Sequence, residues 1–296
     1  MTYEVVIVGG GPAAHSAALA LGRSRKRVLV CDEGRPRNRV SGHSHSFFTR
    51  DGAPPLELRR IAMDQLRAYE SVDVIRGRVT AIDEETEGLR VGFAAGKPVV
   101  TRLVLLAVGM IDSHLEVAGF SELWGDTVIH CPYCHGWEAR DLPWAVYVTR
   151  DEPFPALARI CSWSNDVMLI VKDGVRLQPE TERKLQELGY AFERGTISAL
   201  HATGGKLESI ELEGGRRLSR QVLLYSPPQR QTPLVEALGL ALDDDGYVAT
   251  DDSGLTSMPG VYAAGDLVTP RQQIVIAAAN GVMTAIAMDT VLAMSA

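Results

Sequence analysis

The sequence predicts an α/β fold of two Rossmann-like domains, the second inserted into the first. Three observations support this prediction: a glycine-rich turn joins a strand to a helix near the N-terminus, a second strand–helix–strand segment lies in mid-chain, and an apolar strand precedes a helix of small residues near the end. The predicted boundaries are 1–112 plus 243–296 for the first domain and 113–242 for the inserted one. A chain of 296 residues is long enough for two cores.

The first motif is a strand, a glycine-rich turn and a helix, followed by a second strand that ends in acids. Residues 3–8 are an apolar strand, and the strand over 27–31 leads into Asp32 and Glu33, about 20 residues after the glycines. Glycines permit a tight turn and the close approach of a pyrophosphate to a helix N-terminus. We expect a dinucleotide site in which Asp32 binds a ribose hydroxyl and the turn contributes Gly9, Gly11, Pro12, Ala13 and Ala14.

The middle of the chain predicts a second strand–helix–strand unit. Residues 142–148 are a strand, 154–161 a helix and 166–171 a strand. The turn over 149–153 reads Thr-Arg-Asp-Glu-Pro, so it has no glycine and places two acids where a pyrophosphate would lie. We therefore expect no usual dinucleotide site here, because like charges repel and no glycine permits close backbone approach.

Two of the four cysteines have the spacing of a redox pair. Cys131 and Cys134 are separated by two residues, which lets them close and open a short disulfide by thiol exchange. Cys31 and Cys161 lie in apolar stretches and are predicted to be buried small hydrophobic residues. A structural zinc site would need a second ligand pair of suitable spacing, which the sequence lacks, so we predict no metal.

Charge and hydropathy exclude several functions. The formal net charge of -7 is contrary to the clustered positive charge that nucleic-acid binding needs, and the basic run at 23–27 fits a helix end. No secretory signal begins the sequence, so we expect a cytoplasmic protein. The apolar stretch 274–294 is interrupted by Asn280, Gly281 and Asp289, which predicts a buried helix and no membrane span.

Five landmarks together resemble the low-molecular-weight thioredoxin reductases over essentially the whole chain. They are residues 9–14, Asp32, the strand end 107–109, the cysteine pair 131–134, and Gly265 with Asp266. The resemblance implies a homodimer of two-domain subunits, with FAD in the first domain and a disulfide in the second that meets the flavin. Asp266 is then expected to contact the ribityl chain.

The same resemblance assigns further FAD contacts. Val79 is expected to hold the adenine through its backbone groups, and a polar loop after the ribose acid runs along the cofactor. His43 and His45 contact the flavin or belong to an ordinary loop; both interpretations stay open. Beyond the turn and Asp32, the complete predicted set is Glu33, Gly34, Arg37, Asn38, His43, Ser46, Val79, Gly109, Gly265, Asp266, Gln273 and Ile274.

The sequence departs from the thioredoxin reductases in two places. The inserted domain lacks the second glycine-rich turn and the basic residues that bind NADPH in that family. The redox pair reads Cys-Pro-Tyr-Cys-His-Gly, which resembles the family's dithiol oxidases of small molecules and divergent members with no known nicotinamide partner. The resemblance implies that Cys134 faces the flavin, that Cys131 meets the external thiol, and that His135 replaces the family's aspartate as acid and base.

Three functions are compatible with these residues. The first is an FAD-dependent thiol-disulfide oxidoreductase that oxidises a small dithiol with oxygen. The second is a thioredoxin reductase-like enzyme that takes electrons from a donor such as ferredoxin and passes them to a thioredoxin-like protein. The third is a flavin-bound redox sensor without turnover. Tyr133 and Trp137 either pack or line a substrate pocket, and a single domain arrangement is expected because no nicotinamide needs access to the flavin.

Overall fold

A computed structural model of the chain describes residues 3–294. Its internal contacts divide these residues into two compact units. The first unit contains residues 3–39, Ser46–Ile111 and 229–294, and the second contains Val40–His45 and Asp112–Pro228. The first two and last two residues of the predicted first domain, 1–2 and 295–296, lie outside the described residues.

Strands and helices alternate along most of the chain. The strands are β1 Val5–Val8, β2 Val28–Asp32, β3 Val72–Arg76, β4 Val79–Glu85, β5 Gly88–Phe93, β6 Val99–Thr101, β7 Leu103–Leu106, β8 Ile111–Asp112, β9 Val128–Ile129, β10 Trp144–Val148, β11 Val167–Val171, β12 Ala191–Arg194, β13 Ile197–Thr203, β14 Lys206–Leu212, β15 Arg217–Ser219, β16 Val222–Tyr225, β17 Gln229–Arg230 and β18 Val261–Ala263. The helices are α1 Pro12–Arg23, α2 Pro55–Leu66, α3 Phe120–Leu123, α4 Pro132–His135, α5 Phe154–Ala158, α6 Pro179–Glu187, α7 Pro233–Leu238 and α8 Ile274–Met294. Short 3₁₀ turns occur at Arg37–Val40, Arg159–Ser162 and Asp266–Val268.

A five-stranded parallel sheet organises the first unit, in the order β18-β7-β1-β2-β3. At its centre Val5 of β1 lies opposite Val28 and Leu103, and every residue of β1 is buried. Because side chains alternate across a strand, β1 packs on one face against α1 and α8 and on the other against α7 and the antiparallel sheet β4-β5-β6. The carboxyl ends of β1 and β2 therefore lie side by side at the edge where α1 begins.

A second five-stranded parallel sheet organises the second unit, in the order β12-β11-β10-β16-β9. Ala145 and Tyr147 of β10 pack against the antiparallel sheet β13-β14-β15 and α3. Trp144, Val146 and Val148 pack on the opposite face, against α5 and α6. Both units are thus α/β, as the sequence predicts.

The unit boundaries differ from the predicted ones in two places. The first unit resumes at Gln229 instead of 243, because α7 buries Leu234 and Val235 in the same core as β4 and β5. Residues Val40–His45 belong with the second unit, since a Cβ on Gly125 would come within 2.9 Å of the Val40 side chain. The short strands β8 and β17, where the chain passes between the units, pair in a two-stranded sheet.

Residues 72–82 contain parts of two strands that belong to different sheets, β3 and β4. β3 ends the parallel sheet, where the Gly77 amide donates to the Asp32 carbonyl at 3.1 Å. β4 begins the antiparallel sheet, where the Arg78 carbonyl accepts from the Ala94 amide at 2.9 Å. A periodic apolar pattern cannot reveal this break because both strands share it.

Helix α8 has one buried and one exposed face, and both faces carry apolar side chains. Its inner face packs on α1, where a Cβ at Gly281 would lie 2.1 Å from the Ala13 carbonyl oxygen. Its outer face exposes apolar side chains, so the predicted buried helix is buried on one side; the exposed set is Val275, Val282, Met283, Ile286, Val291 and Met294. By length and composition alone, α8 is also long and apolar enough to cross a membrane.

Candidate active site

The glycine turn after β1 forms a cradle at the N-terminus of α1. Gly9 has φ +120°, and a Cβ there would meet the Ala107 carbonyl oxygen at 2.2 Å; a Cβ on Gly10 would lie 2.0 Å from an Asp32 carboxylate oxygen. A Cβ on Gly11, in contrast, would meet nothing within 4 Å. α1 has no acid in its first turn and no side-chain cap, so the first-turn N–H groups after Pro12, which itself has none, remain for an anionic group.

Asp32 lies at the carboxyl end of β2 and is almost fully buried. One of its oxygens accepts from the Gly34 amide at 2.8 Å, and the other accepts from the Arg59 Nε at 3.0 Å and from Arg59 Nη2. This pairing positions the carboxylate that the sequence assigns to a ribose hydroxyl. Arg59 was not predicted; it lies on α2, and its place on the polar side of an amphipathic helix carries no signal for this contact.

His15 is a second residue that the sequence did not reveal. Its ring is buried one turn into α1, and Nε2 makes no hydrogen bond within residues 3–294. Burial lowers the pKa of His15 to about 4, nearby Asp32 acts in the opposite direction, and Arg59 lowers the pKa further. The neutral ring is therefore a buried polar group without a partner among the described residues, close to Asp32 and Arg59.

Several predicted cofactor residues converge around Asp266. Arg37 Nη1 lies 3.3 Å from an Asp266 oxygen and 2.5 Å from Gln272 Oε1. Gly109 and Gly265 have positive φ values of 64° and 86°, which suits glycine, and a Cβ on Gly109 would lie 3.9 Å from the Asp266 Cβ. The structure thus brings together residues more than two hundred positions apart in the chain.

The remaining predicted residues occupy separate places. Glu33 forms an exposed ion pair with Arg78 at 2.7 Å, and Val79 is buried at the start of β4. The Ser46 amide donates to Asp51, while Ile274 begins α8 directly after Gln273. The other members are Gly34 with φ +75°, Pro12, Ala13 and Ala14 in the first turn of α1, Asn38 in the 3₁₀ turn, and His43, which lies in the second unit.

The redox pair is closed as a disulfide between Cys131 and Cys134. Cys131 is the N-cap of α4, and Pro132 takes the first helical position, where its missing N–H costs nothing. The Cys134 amide donates to the Cys131 carbonyl at 3.2 Å, and the Gly136 amide donates to Pro132 at 2.7 Å. These bonds fix a tight turn with both sulfurs half-buried.

Aromatic side chains surround this turn. Trp163 packs edge-on against Tyr133 at 5.1 Å between ring centroids, and a Cβ on Gly136 would lie 2.5 Å from the Trp163 ring. Tyr133 and Trp137 are 55% and 68% exposed. Tyr133 thus packs against Trp163 yet remains accessible, and Trp137, whose ring lies 4.2 Å beneath the Arg140 guanidinium, is accessible as well.

His135 lies directly after Cys134, with its ring largely removed from solvent. Burial lowers its pKa, the charge of His45 lowers it further, and Glu138, the Cys131 backbone and Asp126 act in the opposite direction. Its Nε2 is 3.0 Å from the Ser41 hydroxyl oxygen, and His45 pairs with Glu138 at 3.4 Å. Ser41 was not predicted, because it lies 94 residues from His135 in the chain.

A cleft of about 830 Å³ opens beside His135 within the second unit. Its walls carry polar groups from the Val40–His45 segment, from the turn after α4 and from β14. Within the described residues 3–294, no group of three or more His, Cys, Asp or Glu side chains could hold a metal ion.

The other two cysteines have different environments. Cys31 is buried in β2, as predicted, and burial raises the pKa of its thiol to about 12. Cys161 is exposed, so its predicted burial is wrong. Helix α5 ends at Ala158, and Cys161 lies in the 3₁₀ turn that follows, with its side chain exposed. Its Sγ donates to the Ala158 carbonyl at 3.1 Å.

The turn after β10 has neither the glycines nor the long helix of a pyrophosphate site. Arg150 pairs with Glu152 at 2.8 Å, and Asp151 accepts from Gln178 at 3.2 Å, so both acids are held in the turn. The helix that follows, α5, begins after Pro153 and has five residues. Such a short helix offers few aligned peptide dipoles.

The sequence profile of the pyridine nucleotide-disulphide oxidoreductase family matches residues 3–151 and 167–285. The chain belongs to this family. Thioredoxin reductase tcpT of Claviceps purpurea is 29% identical over 89% of this chain and 86% of its own length, and thioredoxin reductase sirT of Leptosphaeria maculans is 28% identical over 95% and 91%.

Two solved structures superpose closely on this oxidoreductase. The crystal structure of HlmI has a TM-score of 0.91 with 34% identity, covering 99% of this chain and 93% of that one. The putative thioredoxin reductase TrxB from Bacillus anthracis has a TM-score of 0.92 with 29% identity and 99% coverage of both chains. The predicted fold class and the resemblance to thioredoxin reductases are confirmed: the protein is a thioredoxin reductase-like disulfide oxidoreductase, an enzyme of a flavoprotein family.

Proposed function

We propose that this oxidoreductase is an FAD-dependent dithiol oxidase, which closes a disulfide in a small dithiol and uses dioxygen as the acceptor without NADPH. The observation that carries the proposal is the combination of a redox disulfide, Cys131–Cys134, with a second unit whose turn after β10 holds two acids and no glycine. The cysteine pair, once reduced by a substrate, needs an electron acceptor. The acidic turn without glycine makes NADPH an unsuitable electron donor.

FAD is the proposed cofactor of the first unit. The open space beside Gly11 suits the pyrophosphate, Asp32 suits a ribose hydroxyl, and the Arg37–Asp266 pair marks the predicted ribityl end. When bound, FAD supplies a two-electron acceptor that dioxygen can reoxidise.

The absence of NADPH chemistry rests on electrostatics and backbone shape. Asp151 and Glu152 would stand beside a doubly anionic pyrophosphate, which meets like charge at this position. α5 is too short to compensate, and Pro153 before it carries no N–H donor. The fold of the unit survives this loss because β10, α5 and α6 pack through apolar side chains.

The disulfide turn supports a thiol exchange with balanced electrons. A substrate thiolate attacks Cys131, the Cys131–Cys134 bond breaks, and Cys134 leaves as a thiolate. The second substrate thiol then displaces Cys131, so the substrate becomes a disulfide and the cysteine pair holds two electrons. Closing the pair again releases these two electrons, which bound FAD would accept and dioxygen would finally take up with two protons. The overall reaction would convert one dithiol and one dioxygen into one disulfide and one hydrogen peroxide.

An anaerobic titration tests the proposal. We expect the flavin spectrum of the purified yellow protein to stay unchanged with stoichiometric NADPH and to bleach with a dithiol such as dihydrolipoamide. In air the same dithiol should consume oxygen. Replacing Cys131 or Cys134 with Ser should abolish bleaching by the dithiol while bound FAD remains. Rapid bleaching by NADPH, or turnover in either Ser variant, contradicts the proposal.

The relatives named thioredoxin reductases favour a second candidate, a thioredoxin reductase-like enzyme with a thioredoxin-like acceptor. Without an NADPH site, its electrons would come from another donor such as ferredoxin. Turnover with reduced ferredoxin plus a thioredoxin, together with no oxygen uptake from dithiols, would select it. A flavin-bound sensor is the remaining outcome, and its signature is bound FAD without steady-state turnover in either assay. A homodimeric state and a cytoplasmic location complete the proposal.

A further inference from the structure

The Ser41 hydroxyl oxygen stands between two groups of the second unit. It is 2.7 Å from the carbonyl oxygen of His43 and 3.0 Å from Nε2 of His135. The Val40–His45 segment that carries it is held by the close packing of Gly125 on Val40 and by the His45–Glu138 pair. Ser41 therefore approaches His135 from a segment with its own anchors.

These two contacts define the tautomer of His135. A carbonyl oxygen can only accept, so the single hydroxyl proton of Ser41 is donated to His43. The hydroxyl oxygen then has only lone pairs to offer His135, which must donate an Nε2 proton to it. A neutral His135 ring consequently carries its proton on Nε2 and a lone pair on Nδ1.

The other ring nitrogen of His135, Nδ1, is enclosed by protein. Nδ1 is buried and makes no hydrogen bond within the described residues 3–294. A buried polar atom without a partner is costly, and such atoms in native proteins call for a functional explanation. The Cys131 backbone raises the pKa of His135, which favours the protonated ring beside the redox turn.

We propose that Ser41 is a positioning residue that holds His135 in the Nε2–H tautomer and thereby presents Nδ1 as the proton acceptor for the Cys131–Cys134 turn. The proposal rests on the dithiol oxidase function, in which each thiol that becomes a thiolate must release a proton. One such proton moves from sulfur to Nδ1, and the ring becomes imidazolium with both nitrogens donating. The logic is that of a catalytic base oriented by a third group.

Other charges face the same ring and set the pH range of the transfer. Burial lowers the pKa of His135, so the ring is neutral and able to accept a proton at neutral pH. Loss of the Ser41 contact removes an acceptor for Nε2–H and should lower the pKa further. The charged or titratable groups around the ring are His45 and Glu138, which pair with each other, Asp126, which binds Lys206, and His130 at 6.4 Å between ring centroids.

Nitrogen NMR of the oxidised holoprotein labelled with ¹⁵N-histidine tests the tautomer directly. The signals of His135 are assigned by their loss in His135→Gln, among the seven histidines of the chain. We expect Nε2 to be the protonated nitrogen in the wild type and the Nδ1–H form to become populated in Ser41→Ala. Ser41→Thr retains a hydroxyl and should restore the wild-type pattern, and Ser219→Ala, which changes another serine of the cleft, should leave it unchanged. A protonated Nδ1 in the wild type, or an unchanged pattern in Ser41→Ala, overturns the proposal.

The pH dependence of flavin reduction provides a second readout. Ser41→Ala should lower the rate of anaerobic reduction by dihydrolipoamide by about tenfold or more without raising KM, and should displace the acidic limb of its pH profile. An equal loss in Ser41→Thr, or a loss expressed only in KM, contradicts a positioning role. If no dithiol reduces the flavin while the NMR pattern responds as expected, the dithiol oxidase function fails and the tautomer assignment stands.

Discussion

At the scale of single residues, His15 links the candidate cofactor site to the stability of the first unit. Its ring is buried, its Nε2 has no hydrogen-bond partner within residues 3–294, and its pKa is lowered to about 4 from an ordinary value of 6.5. The unfolded chain therefore binds more protons than the native protein between these two pH values. Stability is complete above about pH 6.5 and falls as the pH decreases toward 4.

Replacing His15 with Leu should remove this acid sensitivity. At pH 5 the native protein carries a penalty of about 2 kcal/mol from the buried neutral ring, since each pKa unit corresponds to 1.36 kcal/mol. We expect the difference in melting temperature between pH 8 and pH 5, measured with saturating FAD, to become smaller in the variant. His201→Gln, which removes an accessible histidine paired with Glu211, should not reduce that difference. An undiminished difference in His15→Leu would contradict the assignment.

Gly136 is required by packing and not by backbone conformation. Its φ is -68°, which any residue adopts, yet a Cβ would lie 2.4 Å from the Pro132 carbonyl oxygen and 2.5 Å from Trp163. Gly136→Ala should therefore destabilise the second unit by about 1–3 kcal/mol and change the tryptophan fluorescence. Gly42→Ala is the matched control, because a Cβ there meets nothing within 4 Å. Equal denaturation midpoints for the two variants would show that the turn adapts.

At the scale of elements, the glycines of the turn between β1 and α1 differ in what they contribute: some are needed for folding and one for cofactor binding. Three consecutive glycines have three different neighbours: backbone at Gly9, the Asp32 carboxylate at Gly10 and open space at Gly11. Each position therefore has its own tolerance for a side chain. The turn is predictable from sequence as a motif, whereas the role of each glycine needs the atoms around it.

Gly11→Ala should fold normally and lose FAD. The added methyl group meets no protein atom, but it occupies the space proposed for the pyrophosphate, so we expect the FAD dissociation constant to rise at least about tenfold. Flavin content and FAD titration of the apoprotein measure this, with circular dichroism as the test of folding. Gly10→Ala should instead disturb Asp32 and lower the melting temperature even without FAD. Full retention of FAD in Gly11→Ala would show that the pyrophosphate does not occupy the space beside Gly11.

At the scale of the whole molecule, the outer face of α8 exposes several large apolar side chains. Met283 and Ile286 are 63% and 60% exposed on the side away from α1. Exposed apolar side chains on one helix face are typical of an interaction site, and a second copy of the chain would cover them in the proposed homodimer.

Ile286→Glu should therefore weaken self-association. The side chain is exposed, so the change should cost little folding stability, whereas a buried charge at an interface without a partner is strongly unfavourable. Sedimentation velocity over a concentration series should show a shift toward monomer. Leu188→Glu makes the same kind of change on an exposed residue of the second unit and should leave the distribution unchanged. A wild-type distribution in Ile286→Glu would exclude this face as the interface.

Parts of the molecule encoded by neighbouring residues were predictable. β1 reads as four consecutive apolar residues because both of its faces are buried. Side chains are excluded at Gly9 by its positive φ and a close backbone contact, and at Gly10 by the Asp32 carboxylate. The cysteine pair was visible for the same reason, since its two sulfurs are joined within a single turn. Less regular places were not predictable, among them the break between β3 and β4 and the exposure of Cys161.

The sequence by itself determined the fold class, the glycine turn, the redox pair and the family resemblance, because each depends on the order and spacing of residues close together in the chain. Only the tertiary structure decided that Arg59 and His15 surround Asp32, that Arg37 meets Asp266, and that Ser41 binds His135. These contacts join residues 27, 229 and 94 positions apart for Arg59, Arg37 and Ser41. Their partners are chosen by the packing of sheets and loops, and no local periodicity or propensity records such a choice.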